Sequence, residues 1–122
     1  MKIMVVEDEP LIRLGMVMTI EDAGYEVVEA ASADEAIRKL ERDASVRLVL
    51  TDVDMPGTMD GIRLAHFVRD RWPPIQLIVL SGKVGVRPDQ LPAGVRFVPK
   101  PYQEPVLLNL VETMISAGGG AV

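Results

Sequence analysis

The chain has no cysteine and a single histidine, His66. The first absence excludes a disulfide framework, thiolate catalysis and thiolate metal binding. The second leaves His66 without a partner of its own kind, so it is read as a solvent-facing or helix-packing residue and not as a ligand or base. Aromatic residues are few, one Trp, two Tyr and two Phe, and 13 Lys and Arg stand against 18 Asp and Glu for a net charge of -5. A chain with so little basic surface and so few stacking rings makes a poor nucleic-acid binder. Trp72, followed by two prolines, is read as a packing cap. Long apolar runs are also missing. The opening run Ile3 to Val6 is too short for a signal peptide, and no later stretch has the length of a membrane span. The expectation is a soluble, cytoplasmic protein with no membrane contact.

What is present is an alternation. Short β-branched runs are expected as strands at Lys2 to Val6, Tyr25 to Glu29, Val46 to Thr51, Gln76 to Leu80 and Val95 to Val98. Segments of helical period separate them, which is the pattern of a parallel α/β sheet covered on both faces. Pro10 suits the first turn of a helix that Gly24 ends. Ser32 with Glu35 forms a capping-box pattern for a second helix, Asp60 caps a third, and Trp72-Pro73-Pro74 stops it. Pro105 opens a last helix through Ala117. The 122 residues make one domain, assigned to residues 1–117, with 118–122 as a flexible tail or the start of a linker. Residues 82–94 carry two prolines and three glycines, so only a stunted helix or a loop is expected there.

The chemistry sits at the ends of the apolar runs: Glu7-Asp8, Asp52, Ser81 and Lys100. If the runs are parallel strands, these groups meet in the crevice at the carboxyl edge of the sheet. Adjacent carboxylates behind a buried strand are costly to bury without a cation. Glu7, Asp8 and Asp52 make an all-oxygen site suited to Mg²⁺, with Mn²⁺ as the alternative ion. A carboxylate beside such an ion can attack phosphorus and become an acyl phosphate, while Lys100 and the Ser81 hydroxyl face the transferred oxygens. The first helix is richer in apolar residues than one buried face needs. Leu11, Leu14 and Met18 form one stripe and Ile12, Met16 and Ile20 a second; the two readings are that a partner covers the second stripe or that both are partly buried within the fold. Met16, Met18 and Met114 are read as gap fillers, and Arg13, Arg63, Arg69 and Arg71 as helix-surface charges.

These motifs, Met4-Val5-Val6-Glu7-Asp8-Glu9, Asp52-Val53-Asp54-Met55-Pro56-Gly57 with Met59-Asp60-Gly61, Ser81-Gly82 and Phe97-Val98-Pro99-Lys100-Pro101, closely resemble those of a response-regulator receiver domain over essentially the whole chain. The resemblance implies a flavodoxin-like five-stranded parallel sheet of order 2-1-3-4-5. It implies Asp52 as phosphoacceptor for a phosphohistidine donor, Asp8 as direct Mg²⁺ ligand, and Glu7 acting through a bound water. It implies the Asp54 carbonyl as a further ligand, Lys100 as phosphate-binding lysine before a cis Lys100-Pro101 bond, and Ser81 with Phe97 as the switch pair. The implied partners are a sensor histidine kinase or histidine-phosphotransfer protein, a downstream protein target and a second copy of the chain. Such a domain is a signalling protein that phosphorylates and dephosphorylates itself, not a conventional turnover enzyme.

The chain departs from the family pattern in the short interval between Ser81 and Lys100, which implies a reduced fourth helix, and in an extra residue, Thr58. Asp54 and Lys83 are expected to flank the path of water to Asp52 and to set the lifetime of its phosphoryl group. Glu7 with Asp52 and Asp54 is also similar to the acidic cluster of topoisomerase-primase domains, a reading opposed by the weakly basic surface and the fit of Lys100. Two further functions compete. The Asp52-Val53-Asp54 spacing is similar to the nucleophile pair of haloacid-dehalogenase-like phosphatases, although that family places the pair after its first strand. A non-catalytic interaction module is the other, opposed by the intact Asp8, Asp52, Ser81 and Lys100.

Overall fold

The computed structural model describes residues 1–55, 57, 59–82 and 86–119. Its elements run β1 (Lys2–Val6), α1 (Pro10–Asp22), β2 (Glu26–Ala30), α2 (Ala33–Arg42), β3 (Val46–Asp52), α3 (Gly61–Arg71), β4 (Gln76–Ser81), a 3-10 turn (Pro88–Gln90), β5 (Arg96–Pro99) and α4 (Glu104–Gly119). The five strands are all parallel in the order β2-β1-β3-β4-β5, as expected from the resemblance.

Alternation along each strand divides the core in two, because successive side chains point to opposite faces. Met4, Val6, Val49, Leu77 and Val79 face α2 and α3, where Ala36, Leu40, Leu64, Ala65 and Val68 meet them. Ile3, Val5, Leu48, Leu50, Ile78 and Leu80 face α1 and α4, meeting Met16, Val17, Ile20, Leu107 and Val111. A sheet buried on both faces needs strands without polar alternation, and β1, β3 and β4 are nearly continuous apolar runs for that reason.

The helix ends follow their sequence signals. Glu9 precedes Pro10 and its carboxylate accepts from the Leu11 amide. The Ser32 hydroxyl accepts from the Glu35 amide, and Asp60 accepts from the Arg63 amide at 2.9 Å. Gly24 takes the positive φ of 98° that ends α1. The Tyr25 amide then bonds back to the Ile20 carbonyl, so β2 begins one residue later than expected. The last helix reaches Gly119, two residues into the segment read as a tail, and residues 120–122 lie outside the described residues. Between β4 and β5 the described residues hold only the 3-10 turn, in agreement with a reduced fourth helix. His66 ties this turn to α3, its Nε2 lying 2.8 Å from the Gln90 carbonyl oxygen.

One expectation is corrected. In α1, Met16 and Ile20 are buried, whereas Leu11, Leu14 and Met18 are exposed together with Ile12, so the first stripe is uncovered throughout, the second only at its Ile12 end, and Met18 fills no gap in the core. Both stripes have helical spacing, and periodicity alone does not choose between them.

The start of β1 is pinned by Lys2, whose ammonium lies 2.8 Å from Asp43 and 3.7 Å from Glu26. Lys2 first, and then the Ser45 hydroxyl and amide, hold the Asp43 carboxyl far below its ordinary 3.8, and the same contact raises Lys2. A carboxyl whose pKa is depressed by folding stabilises the fold above its unfolded pKa, and that contribution is lost as the pH falls toward the folded value. Asp43→Asn is therefore expected to lower the urea midpoint at pH 7, with the gap from wild type narrowing at pH 3. Equal midpoints at pH 7 would contradict this role for the pair.

Candidate functional site

The site lies where the strand ladders run out. Just past β1 the Glu7 amide still bonds to the Ala30 carbonyl, and past β3 the Val53 amide bonds to Leu80. The Lys100 amide bonds to the Ser81 carbonyl at 2.8 Å. Three neighbouring strands thus deliver Glu7, Asp52 and Ser81 to one edge, and the ladder between β4 and β5 brings Lys100 beside them.

One oxygen each from Glu7, Asp8 and Asp52 can be chosen so that all three lie within 4.8 Å of one another. Glu7 is 2% exposed and Asp52 8%, while Asp8 is more open. Lys100 Nζ donates to Asp52 Oδ1 at 3.0 Å and stands 3.9 Å from Glu7 Oε1. Glu7 Oε2 accepts from the Glu9 amide at 3.0 Å, but its Oε1 is buried with no hydrogen bond. Burial pushes the Glu7 carboxyl above its ordinary 4.5, and neighbouring Asp8 and Asp52 push the same way, against the Glu9 amide and Lys100. Three acids held against one lysine, with a buried oxygen lacking a donor, form a donor set that a small oxygen-loving cation completes.

The other expected residues are distributed around this centre. Ser81 ends β4 and is buried. Phe97 is half-buried and packs against the core on the α2 and α3 side. The Lys100-Pro101 bond is cis. Asp54 lies exposed just beyond Asp52; Lys83 and Thr58 lie outside the described residues. Arg13, read as a surface charge, has another task. Its guanidinium donates to the Glu7 carbonyl at 2.8 Å and to Glu29 at 3.1 Å, bracing the turn that carries the acid pair. Nothing in the spacing of Glu7 and Arg13 announces this, because the contact crosses from a loop to a helix.

The comparisons with known proteins agree with the geometry. The model of the response regulator receiver domain matches residues 3–112. Over 119 residues the chain is 31% identical to the response regulator receiver protein CpdR of Brucella abortus, covering 95% of this chain and 98% of CpdR. It is 37% identical over 117 residues to the sensor kinase CckA of the same organism, covering 93% of this chain but spanning only 12% of CckA. The response regulator protein TrrA of Thermotoga maritima, solved in complex with Mg²⁺-BeF, superimposes with a TM-score of 0.82 at 28% identity, covering 93% of this chain and 99% of TrrA. The chain belongs to the response regulator receiver domain family. It is a phosphorelay receiver of two-component signal transduction, a class that binds Mg²⁺ in an acidic pocket and works with sensor kinases or phosphotransfer proteins. The dehalogenase-like alternative has no support here: Asp52 ends the third strand of the sheet and not the first. No helix among the described residues is long and apolar enough to cross a membrane.

The crowding of acids has a measurable cost. A carboxyl whose pKa is raised by folding destabilises the fold when ionised, a penalty absent in acid that grows as the pH rises through 4.5. In metal-free protein, Glu7→Gln is expected to raise the melting temperature at pH 7 by on the order of 3 °C, with a smaller gain at pH 4. Calorimetric scans at the two pH values check this, and a lower melting temperature at pH 7 would contradict it.

Proposed function

We propose that Asp52 is the phosphoacceptor, taking a phosphoryl group from a phosphohistidine of a sensor kinase or histidine-phosphotransfer protein. The observation that carries this reading is the convergence of the three carboxylates with Lys100 Nζ 3.0 Å from Asp52 Oδ1. An Asp52 oxygen attacks phosphorus, the P–N bond breaks with its electron pair going to the departing imidazole, and an acyl phosphate remains on Asp52. Lys100 shifts its hydrogen bond from Oδ1 to a phosphoryl oxygen, and the Ser81 hydroxyl donates to another.

Asp8 and Asp52 hold the Mg²⁺ together with the Asp54 carbonyl, and Glu7 acts through a bound water; Mn²⁺ suits the same oxygens. The ion supplies charge neutralisation for the donor's phosphoryl oxygens. The orphaned Glu7 oxygen and the raised Glu7 pKa support a cation here.

Phe97 follows Ser81 in the switch, and the connection from β4 to β5 carries the consequence to a downstream protein or a second copy of this chain. The Asp54 side chain, at the open rim, and Lys83 set the lifetime of the acyl phosphate. The exposed stripe Leu11, Leu14 and Met18 supports docking of the donor. So does the groove of about 430 Å³ lined by Ile12, Met16, Lys100, Pro101 and Tyr102, which places an apolar surface beside the reacting group.

Incubation with acetyl phosphate and Mg²⁺ is expected to add one hydroxylamine-labile phosphoryl group, found by mass spectrometry in wild type and absent from Asp52→Asn. Equal labelling of the two proteins would refute the assignment. Titration calorimetry should show at least about tenfold weaker Mg²⁺ binding in Asp8→Asn, and unchanged affinity would remove Asp8 from the ligand set.

A further inference from the structure

The Asp52–Val53 peptide is held on both of its polar atoms. Its carbonyl oxygen accepts from the Thr51 hydroxyl at 2.9 Å, and its N–H donates to the Leu80 carbonyl at 3.0 Å. Thr51 is fully buried, with no access to water. The next carbonyl, that of Val53, accepts from the Gly61 amide at 2.9 Å. Gly61 is also pressed against the first peptide. A Cβ at this position would stand 2.1 Å from the Asp52 oxygen and 2.8 Å from both the Asp52 carbonyl carbon and Val53 Cα. Gly24, Gly57 and Gly94 have positive φ, but Gly61 does not. It is needed for space, so that the first turn of α3 lies flat on the backbone that carries Asp52.

We propose that Thr51 and Gly61 are positioning residues for phosphoryl transfer, clamping the Asp52–Val53 peptide so that the Asp52 carboxylate meets Lys100 and the acid pair. The proposal rests on the reading of Asp52 as phosphoacceptor. The carboxylate hangs from the Cα that this peptide anchors, so a tilt of the peptide moves Oδ1 away from Lys100 Nζ and from the oxygens of Glu7 and Asp8. The same clamp reaches the expected metal ligand at Asp54, because the Val53 carbonyl held by Gly61 belongs to the peptide that leads into it. Thr51 is the partner that chemistry can test cleanly, since serine keeps the hydroxyl and valine keeps the branched shape without it. A hydroxyl bonded there only to satisfy itself predicts loss of stability in the valine variant with no change in transfer rate.

The experiment compares wild type, Thr51→Ser, Thr51→Val, Gly61→Ala and Asp52→Asn for the rate of labelling by acetyl phosphate and for Mg²⁺ affinity, at a temperature well below each variant's melting point. Thr51→Val is expected to label about tenfold more slowly and to bind Mg²⁺ more weakly, with Thr51→Ser within about twofold of wild type. Gly61→Ala must move backbone by roughly an ångström and is expected to lose about a hundredfold in rate. If Gly61→Ala does not fold, the two Thr51 variants decide the matter. A wild-type rate in Thr51→Val, or equal losses in the serine and valine variants, overturns the clamp. Labelling of Asp52→Asn at the wild-type rate would instead overturn the underlying assignment of Asp52.

Discussion

The structure turns on the electrostatic imbalance at the carboxyl edge of the sheet, where Glu7, Asp8 and Asp52 converge on Lys100. One ammonium does not neutralise three carboxylates, and two of the three are almost wholly withdrawn from water. Like charges at such range repel strongly, more so where the surroundings are poorly polarisable. A fold holds such a cluster only if its backbone is fixed by something stronger, which here is the doubly covered sheet. Glu7 and Asp8 follow directly on β1 and Asp52 closes β3, strands whose other buried residues are locked into the two cores.

That arrangement makes the site selective for its chemistry. On the proposed reading, a cation relieves the repulsion and a phosphoryl group on Asp52 brings oxygens for Lys100 and Ser81 to bind, so each component creates the conditions for the next. Change at the site, on the proposed reading, reaches the surface by a short route. Ser81 ends the strand that β5 pairs with, Phe97 lies on β5, and between them the described residues hold a brief 3-10 turn tethered through His66.

Much of this was legible in the residues. Acids, a hydroxyl and a lysine following apolar runs identify the site edge, because a parallel sheet leaves only its strand ends free to carry polar groups. Proline, glycine and the caps at Ser32 and Asp60 mark the helix ends through local chemistry. What was not legible depends on contacts distant in sequence. The two apolar stripes of α1 are equivalent in spacing, and only docking on the sheet through Met16, Val17 and Ile20 distinguishes them. Arg13 looks like any surface arginine until the loop of Glu7 folds back over it. Thr51 reads as an ordinary β-branched strand residue, and its hydrogen bond to the next carbonyl carries no signature of its own.

The most direct test is an experimental structure of the chain with Mg²⁺ and beryllium fluoride, an acyl-phosphate mimic. The account predicts the mimic on an Asp52 oxygen, with Lys100 Nζ and Ser81 Oγ within hydrogen-bond distance of its fluorines, and the ion coordinated by Asp8, Asp52 and the Asp54 carbonyl. A mimic bound elsewhere, or Lys100 still donating to Asp52 with the fluorines facing only solvent, would contradict it.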